Sequence, residues 1–334
     1  MRVGIDALNL LADERGMGRY VRRIIRDLAA RSDWRITLFV RDVANAAAYR
    51  AIVGETVAVS SVAAAREDGA FDAVWYPWNA WRFRCAAPSL LTVNDDFAFR
   101  FPARGPVARF REQLPIRRGI RSATHIATIS RWSRRELVKR FRLDKDAIAI
   151  LPLAPDPWFT PGDEPSPFAE PFVLFVGGAE RRKNLARLMR AFARPFTEGD
   201  VRLVIVGDVD ADGSFPLTVI PRADDTHLRT LYRTARAVAV PSLAEGFGLV
   251  VAEAQACGAA VVAADAGAVR EAGGDAALLV DPFQVGAWSA ALTDVVYDDD
   301  CYAHLRAAAR NRWAHVDPSA ATAEIVTLLE QLAA

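Results

Sequence analysis

Short apolar runs alternate with amphipathic segments along almost the whole chain, and this alternation is the feature that most restricts the fold. "RVGID" (2–6) and "WRITLFV" (34–40) have the length and composition of buried strands. Between them, "GRYVRRIIRDLAAR" (18–31) has the apolar spacing of an amphipathic helix. The pattern continues to the apolar run at 275–282 and the helical segment at 285–298. Strands separated by helices favour parallel β–α units, so the sequence predicts an α/β fold.

A proline-rich segment interrupts this alternation once. Residues 151–171 contain seven prolines, which exclude a long helix or a central strand because proline lacks the amide N–H and restricts the residue before it. The alternation restarts at "FVLFVGG" (172–178). We therefore predict two doubly wound α/β domains, residues 1–157 and 158–316, facing a cleft. Ligands of such sheets bind beyond the carboxyl ends of the strands.

Targeting and cysteine patterns point to the cytosol. The N-terminus "MRVGIDALNL" has no apolar signal region, and no run approaches 18 apolar residues. The three cysteines are far apart and form neither a disulfide framework nor a CxxC metal motif. We expect a cytoplasmic protein.

Charge is unevenly distributed although the formal net charge is only +1. Residues 1–160 hold 27 Lys and Arg against 17 Asp and Glu, so the remainder is acidic. The segment 100–142 is the most basic, with thirteen Lys and Arg and only Glu112 and Glu136 as acids. Such a face can meet an anionic membrane surface, and a solvated basic face is the alternative. No nucleic-acid-binding module is recognisable, so we expect no nucleic-acid partner.

The loop at 175–188, "FVGGAERRKNLARL", indicates an anion site. Gly177 and Gly178 follow a predicted strand, and Arg182 and Lys183 precede a predicted helix. Free amides at a helix start attract anions, and neighbouring cations strengthen that attraction. The alternative is a flexible loop with solvated charges. Neither a GxGxxG fingerprint nor a P-loop is present.

The segment at 241–267 has a strand-to-helix turn of the same kind. Glu245 and Glu253 stand eight residues apart around the glycines of "EGFG". Carboxylates accept hydrogen bonds from sugar hydroxyls, and glycines let a ligand approach the backbone. Taken singly, Glu253 is explained as a negative charge near a helix start. Together with the Lys183 loop, the pair predicts a site for a diphosphate joined to sugars.

Other patterns give weaker signals. Asp208 and Asp210 follow a predicted strand, and a carboxylate pair for Mn²⁺ or Mg²⁺ is an alternative to a solvated acidic turn. The glycines of "ERGMGRYVRR" (14–23) can let a substrate approach the backbone, or serve turn chemistry alone. "TVNDD" (92–96) ends a strand where a ligand-facing side chain is expected. The four histidines have no metal spacing.

Taken in order, these motifs resemble the retaining glycosyltransferases of family 4 (glycosyl transferases group 1). The resemblance covers nearly the whole chain and is most specific over 172–283. It implies the GT-B architecture, with an N-terminal acceptor-binding domain and a C-terminal nucleotide-sugar-binding domain. It also implies that the helix at about 317–334 packs back on the first domain.

The family's functional residues can be carried over position by position. Glu245 matches the acid that contacts the transferred sugar, and Glu253 the acid that usually binds the ribose. Arg182 and Lys183 match the basic pair that neutralises the diphosphate. Asp95 matches the acid of the usual His-Asp pair, where Asn94 stands in place of the histidine. The resemblance further implies backbone contacts to the donor from Gly177, Gly178, Gly246, Phe247, Gly248 and Leu249, and an acceptor and phosphate loop at Gly16, Met17, Gly18 and Arg19.

The implied activity is metal-independent, retaining hexosyl transfer without a cofactor. The donor is a nucleotide-diphosphate sugar, with GDP-mannose favoured over UDP- and dTDP-sugars, and the acceptor is an oligosaccharide or lipid-linked glycan of cell-envelope polysaccharide or lipopolysaccharide synthesis. The expected location is the cytoplasm, with peripheral contact at the inner face of the membrane. The alternatives are a non-catalytic glycosyltransferase-like partner subunit, which Asn94 favours, and a metal-dependent glycosyltransferase that uses Asp208 and Asp210.

Overall fold

The computed structural model describes residues 1–13, 16–67, 71–196 and 199–334. Within these ranges the strands are β1 Arg2–Asp6, β2 Arg35–Val40, β3 Ala58–Ser61, β4 Ala73–Tyr76, β5 Ser89–Thr92, β6 His125–Thr128, β7 Ile148–Ile150, β8 Phe172–Val176, β9 Arg202–Val206, β10 Leu217–Ile220, β11 Ala237–Val240, β12 Val261–Ala264 and β13 Leu278–Val280. The α-helices are α1 Gly16–Ala29, α2 Ala46–Val53, α3 Ala64–Glu67, α4 Phe97–Arg100, α5 Pro106–Ser122, α6 Arg131–Phe141, α7 Leu185–Phe192, α8 Asp225–Thr234, α9 Leu249–Ala256, α10 Gly267–Gly273, α11 Val285–Tyr297, α12 Asp299–Trp313 and α13 Ala320–Ala333.

The chain divides into two compact units. Unit 1 comprises Met1–Leu153 and Ser319–Ala334, and unit 2 comprises Ala154–Pro318. The expected boundary lay at 157/158, inside the same proline-rich segment. Residues 151–171 form neither helix nor strand, as proline chemistry requires.

Unit 1 is built on a parallel sheet with the strand order β3-β2-β1-β4-β5-β6-β7 within the described residues. β1 lies in the middle, where Val3 aligns with Ile36 on one side and with Ala73 on the other. The order runs outward in both directions from β1, which is the doubly wound arrangement. The carboxyl ends of β1, β2 and β4 therefore lie side by side.

The last helix of the chain packs in unit 1. α13 contacts β4, β5 and α1. It buries Ile325 and Leu329 completely, and the Thr322 hydroxyl donates to an Asp27 carboxylate oxygen at 2.7 Å.

Unit 2 repeats the arrangement with the order β10-β9-β8-β11-β12-β13 among the described residues. β8 lies between β9 and β11, with Phe172 aligned with Arg202 and Val173 with Ala237. Both β8 and β11 are buried along nearly their whole length, as expected of parallel strands covered on both faces. The predicted fold class, two doubly wound α/β domains, is confirmed.

The structure also contains elements that the sequence did not predict. β3, β7 and β10 are three or four residues long, and β3 and β10 have no fully buried residue. Such short, half-buried runs lack the apolar signal by which strands are recognised. None of the helices in the described ranges is long and apolar enough to cross a bilayer.

Candidate functional site

The loops that follow β8 and β11 form the candidate site of unit 2. β8 and β11 are neighbouring parallel strands, so their carboxyl ends lie at the same edge of the sheet. This edge is where ligands of open α/β sheets bind. The positions of the two loops therefore follow from the strand order.

Asn184 joins the two loops. It has a left-handed backbone (φ 60°), which ends the short 3₁₀ turn Arg181–Lys183 and starts α7. Its side-chain amide donates to the carbonyl oxygens of Pro241 at 3.1 Å and Pro282 at 3.0 Å. This cross-link holds the Arg182–Lys183 turn against the loop after β11.

Glu245 lies between the two cations. Its Oε2 is 2.9 Å from Nη1 of Arg182, and its Oε1 is 2.7 Å from Nζ of Lys183. The Arg182 carbonyl accepts a hydrogen bond from the amide of Leu243 at 2.7 Å, which fixes the separation of the loops. The three side chains are only 12–19% exposed. The structure therefore brings together three residues that the sequence placed in one site.

The environment of Glu245 keeps it ionised. Burial raises the pKa of this carboxyl, but the charges of Lys183 and Arg182 outweigh burial and hold the pKa below its usual range. An ionised carboxylate only accepts hydrogen bonds. Glu245 is therefore suited to bind hydroxyl groups and not to donate a proton.

Gly177 lets the Lys183 side chain reach Glu245. A Cβ atom on Gly177 would lie 3.2 Å from Cδ of Lys183 and 3.3 Å from its Cε. A larger residue would push the lysine away from the loop. The contact of Gly177 with a ligand stays a prediction, whereas the structure shows that the absence of a side chain at Gly177 leaves room for the Lys183 side chain. Gly178 lies next to it and is partly exposed.

The glycine turn places the start of α9 beside Glu245. Gly246, Phe247 and Gly248 form the turn, and Leu249 is the first helical residue. Gly248 has φ 104°, a conformation that strongly favours glycine, and an added Cβ would lie 3.1 Å from Cβ of Ala272. A helix start presents unpaired amides and a partial positive charge.

Glu253 lies apart from Glu245, inside α9. It is 3% exposed and accepts a hydrogen bond from the Tyr232 hydroxyl at 3.1 Å. Tyr232 belongs to α8, 21 residues earlier, and its ring packs edge-on against Phe159. The sequence predicted the carboxylate but not this tyrosine partner.

Asn94 and Asp95 follow β5 in unit 1. Asn94 is 5% exposed; its Nδ2 donates to the Pro77 carbonyl at 3.1 Å, while its Oδ1 is buried without a hydrogen-bond partner among the described residues. The Asp95 carboxylate accepts from the amide of Phe97 at 2.9 Å, at the start of α4. An imidazole would have to fit the enclosed space that the asparagine occupies.

Asp96 is a buried acid that sequence reasoning missed. Its side chain is fully buried and lies 2.8 Å from Nη2 of Arg140 and 3.4 Å from Nε of Arg100. Arg100 also pairs with Glu136. Part of the basic segment 100–142 is therefore used inside unit 1. The sequence offered one signal for this pairing: Asp96 follows the candidate residue Asn94 by two positions and comes just before the basic segment 100–142.

The predicted loop Gly16–Arg19 forms the first turn of α1. Gly18 makes the closest approach, since an added Cβ would lie 1.7 Å from the Asp13 carbonyl oxygen. Arg22 donates to the carbonyls of Leu10 at 2.9 Å and Asp13 at 2.8 Å. Gly16, Met17 and Arg19 are partly exposed. Residues 14 and 15 of the motif lie outside the described residues.

Asp208 and Asp210 occupy an exposed turn after β9. In the ranges that the structure describes, no group of three or more His, Cys, Asp or Glu side chains is arranged to hold a metal ion. Asp208 and Asp210 would therefore give a metal ion at most two carboxylate ligands from this turn.

A family model matches the C-terminal part of the chain. Residues 158–312 match the family model described as Glycosyl transferases group 1. This part of the chain is a group 1 glycosyltransferase domain. The resemblance to this family that the motifs of residues 172–283 carry is thereby confirmed.

Two curated relatives extend the similarity beyond this domain. The chain is 31% identical over 277 residues to D-inositol 3-phosphate glycosyltransferase of Nocardia farcinica, covering 72% of this chain and 61% of the relative. It is 29% identical over 235 residues to O-antigen chain mannosyltransferase B of Escherichia coli, covering 63% and 62%. The chain thus spans about three fifths of the length of these relatives.

Solved structures show the fold of the whole chain. Anabaena Alr3699/HepE, in complex with UDP and glucose, superposes with a TM-score of 0.75 at 16% identity and covers 99% of this chain and 100% of that one. The expected GT-B architecture, with two parallel-sheet α/β domains, is confirmed.

Proposed function

We propose that this group 1 glycosyltransferase domain binds a nucleotide-diphosphate sugar and that the chain transfers its hexose with retention to a glycan or lipid-linked acceptor. The observation that carries the proposal is the ionised Glu245 held between Arg182 and Lys183 at the carboxyl ends of β8 and β11. Two cations suit a diphosphate, and a fixed carboxylate suits sugar hydroxyls. Cell-envelope polysaccharide synthesis is the proposed setting.

GDP-mannose is the favoured donor. The Escherichia coli relative is named as a mannosyltransferase, which supports mannose as the sugar. HepE was solved with UDP and glucose, so UDP-sugars, and dTDP-sugars with them, belong in the same test.

Each loop has a proposed part in donor binding. Glu245 accepts from hydroxyls of the transferred sugar, and amides of the Gly246–Leu249 turn meet the sugar and diphosphate. Glu253 accepts from the ribose and shares its carboxylate with the Tyr232 hydroxyl. Arg182 and Lys183 exchange part of their pairing with Glu245 for the diphosphate.

The proposed reaction needs no protein base. The bond from the sugar's anomeric carbon to the diphosphate oxygen breaks, and a bond from that carbon to the acceptor oxygen forms on the same face. The acceptor's proton moves to the departing phosphate oxygen. The protein contributes positioning and stabilisation of the charge that develops on the diphosphate, through Arg182, Lys183 and the helix amides. These positive groups supply the charge that a metal ion would otherwise supply.

Turnover of a donor panel tests the proposal. Purified protein is incubated with GDP-mannose, UDP-glucose and dTDP-rhamnose in the presence and absence of a chelator, and nucleotide diphosphate release is measured. Lys183→Ala and Glu245→Ala should each lower turnover by roughly 10²–10³-fold, as expected for groups that stabilise transition-state charge. The matched controls are Lys145→Ala and Glu55→Ala at exposed positions.

Unchanged turnover in both site variants would show that the site assignment is wrong. Loss of activity in the chelator would instead favour the metal-dependent alternative with Asp208 and Asp210. Donor binding without turnover by the wild type, under every acceptor condition, would favour the non-catalytic subunit.

The basic segment 100–142 is proposed to meet an anionic membrane surface through α5. Val107 and Phe110 on this helix are each 63% exposed, and Arg104, Arg109 and Arg111 around them are exposed. An exposed apolar pair among cations suits the interface of an anionic bilayer. Each cation near such a surface contributes roughly 1 kcal/mol.

Flotation with vesicles tests this surface. The protein should float with phosphatidylglycerol vesicles and not with phosphatidylcholine vesicles, and Val107→Ser/Phe110→Ser should abolish flotation. Phe283→Ser in unit 2, which removes an equally exposed phenylalanine, is the control. Flotation that survives the α5 double variant would exclude α5 as the contact.

A further inference from the structure

A cavity of about 480 Å³ lies in unit 1. Three arginines, Arg41, Arg82 and Arg118, line it together with the aromatic side chains of Trp81 and Phe83; the remaining lining is apolar. Its volume lies within the range of small-molecule sites, and its lining combines apolar walls with a few charged groups, as such sites do.

The topology of the sheet places these residues together. Arg41 directly follows β2, and Trp81, Arg82 and Phe83 belong to the segment after β4. β2 and β4 flank the central strand β1, so both segments lie at the carboxyl edge of the sheet. Arg118 reaches the cavity from α5. The cavity therefore occupies the ligand-binding edge of a doubly wound sheet.

The arginines of the cavity have no acidic partner in its lining. All three arginines are exposed residues, and their guanidinium groups form no hydrogen bond or ion pair within the part of the chain that the structure describes. The cavity lining contains no acid. Some other arginines of unit 1 are paired; Arg100 and Arg140, for example, pair with Asp96. Three unpaired guanidinium groups around one cavity are suited to a phosphate, which they bind in a planar, bidentate manner.

The aromatic wall is rigid. The rings of Trp81 and Phe83 each lie 5.3 Å from the buried ring of Tyr76, and Phe83 also packs edge-on against Phe39 at 5.4 Å. The Trp81 amide donates to the Pro115 carbonyl at 3.4 Å, which links the segment to α5. Fixed aromatic faces provide contact area at little entropic cost, and suit the apolar face of a sugar ring.

A polar atom of the cavity lining and one at the end of β1 also lack hydrogen-bond partners among the described residues. Nε1 of Trp81 and Oδ2 of the fully buried Asp6 form no hydrogen bond with the described residues. Asp6 ends β1, directly between the segments that carry Arg41 and Arg82. Buried polar atoms in native structures are nearly always hydrogen-bonded, so each such atom calls for an explanation. A ligand or a bound water that carries oxygen atoms into this region provides one.

We infer that the unit 1 cavity binds the phosphate of a phosphorylated sugar, with the sugar against Trp81 and Phe83 and the phosphate among Arg41, Arg82 and Arg118. Within the proposed function, on which this step rests, the ligand is an acceptor that carries a phosphate next to its sugar. The same chemistry occurs in a soluble sugar phosphate and in the headgroup of a lipid-linked glycan.

Direct binding measurements test the inference without turnover. Isothermal titration calorimetry compares glucose 1-phosphate, glucose and inorganic phosphate on the full chain carrying Lys183→Ala, so that the donor loop contributes less to phosphate binding. Arg41→Gln/Arg82→Gln/Arg118→Gln should weaken glucose 1-phosphate binding at least tenfold, because each charge-assisted hydrogen bond that is lost is strong. Arg84→Gln/Arg121→Gln/Arg135→Gln, at exposed positions outside the cavity, is the charge-matched control and should bind as the parent does.

The outcomes separate the sources of the phosphate. If glucose 1-phosphate binds and the cavity variant loses it, a soluble sugar phosphate is supported. If only phosphatidylcholine vesicles containing a polyprenyl phosphate capture the protein, and the cavity variant is not captured, the lipid source is supported. Equal binding by the cavity variant and the parent, or glucose binding as tight as glucose 1-phosphate binding, overturns the inference. Single Arg82→Gln and Arg118→Gln variants repeat the test if the triple variant does not fold.

A second measurement distinguishes this inference from the proposed function. The cavity variant and its control are made in the protein that keeps Lys183, and the binding of GDP and UDP to each is measured. Loss of phosphate binding with nucleotide binding intact concerns the cavity alone. Absence of nucleotide binding and of donor turnover in the wild type, with phosphate binding intact, contradicts the proposed function and leaves the cavity as an anion site.

Discussion

At the residue scale, burial changes the acidity of Asp6 in unit 1. Its carboxyl is fully buried at the end of β1, and among the described residues only one of its oxygens has a partner, the Leu8 amide at 3.0 Å. Burial raises the pKa of Asp6 to about 7, although the Leu8 amide and the charges of Arg82 and Arg41 oppose that rise. The folded state therefore holds a proton that the unfolded chain releases near pH 4.

Asp6→Asn should make the stability of unit 1 less dependent on pH. In the wild type, the free energy of unfolding falls as the pH rises from about 4 to 7, because the unfolded state releases the proton first. A pKa rise of this size corresponds to roughly 4 kcal/mol at pH 8, and asparagine cannot ionise. The variant should match the wild type near pH 4 and exceed it at pH 8. Urea unfolding at both pH values measures this, and a difference that does not grow with pH would contradict it.

Gly18 illustrates a glycine whose role is steric. It lies in the first turn of α1, and an added Cβ would overlap the Asp13 carbonyl at 1.7 Å. The motif was predicted to border phosphates, which remains a prediction. The close backbone approach is sufficient reason for glycine at this position.

Gly18→Ala should therefore destabilise unit 1 by at least about 2 kcal/mol, since the backbone must move to admit the methyl group. Gly286→Ala, in the first turn of α11, is the matched control. The nearest atom to its added Cβ is the end of a flexible arginine side chain at 3.8 Å. Alanine favours the helix by roughly 0.5–1 kcal/mol at an unhindered position. Thermal unfolding of both variants checks the pair, and equal melting temperatures would show that the Asp13 contact yields easily.

At the element scale, Asp224 defines the start of α8. Its carboxylate accepts a hydrogen bond from the amide of His227 at 2.7 Å, and the residue is exposed. α8 carries Tyr232, the partner of Glu253, so its position bears on the candidate donor site.

Asp224→Ala should lower the free energy of unfolding by about 1 kcal/mol, because one amide of the first turn loses its acceptor. Asp224→Asn keeps a capping oxygen and should restore most of the loss. Chemical denaturation of the three proteins provides the comparison. If asparagine is as destabilising as alanine, charge and not capping geometry accounts for the effect.

The long elements could be predicted from the sequence, and the short ones could not. Strands such as β8 and helices such as α6 have clear apolar patterns, and Ser130 caps α6, with its hydroxyl 2.9 Å from the Ser133 amide. β3 and β10 are short and only half-buried, so the apolar pattern that marks a strand is missing. A strand is recognised in the sequence by its apolar periodicity, whereas β3 and β10 form because they pair with a neighbouring strand.

The candidate site was predictable to a similar extent. Arg182, Lys183 and Glu245 were placed in one site because both motifs are strand-to-helix turns of the same predicted domain and together offer cations for a diphosphate and carboxylates for sugars. The partners of Glu253 and Asp96 were not predicted, since Tyr232 lies on a different helix and Arg140 lies 44 residues beyond Asp96. Such pairs depend on packing between elements, which no local pattern encodes. The arginine cavity of unit 1 was missed for the same reason, as Arg41, Arg82 and Arg118 come from three separate segments.

At the scale of the whole molecule, each unit has its own sheet and its own core. The core of unit 2 includes the buried aromatic residues Phe172, Phe192 and Trp288. The core of unit 1 is completed by α13, from the far end of the chain, which contacts β4 and β5. The last helix therefore stabilises a unit from which it is separated in sequence by all of unit 2.

Leu329→Ala should destabilise unit 1 selectively. Leu329 is completely buried in α13, and removing such a side chain from a core costs roughly 2–5 kcal/mol. Hydrogen–deuterium exchange should show faster exchange in peptides of β4 and β5, while peptides of β8 and β11 keep wild-type protection, because local unfolding follows the cooperative unit that lost stability. Gln331→Ala, exposed on the same helix, should leave both sets unchanged. Equal loss of protection in both units would mean that they unfold as one cooperative body and that α13 stabilises the chain as a whole.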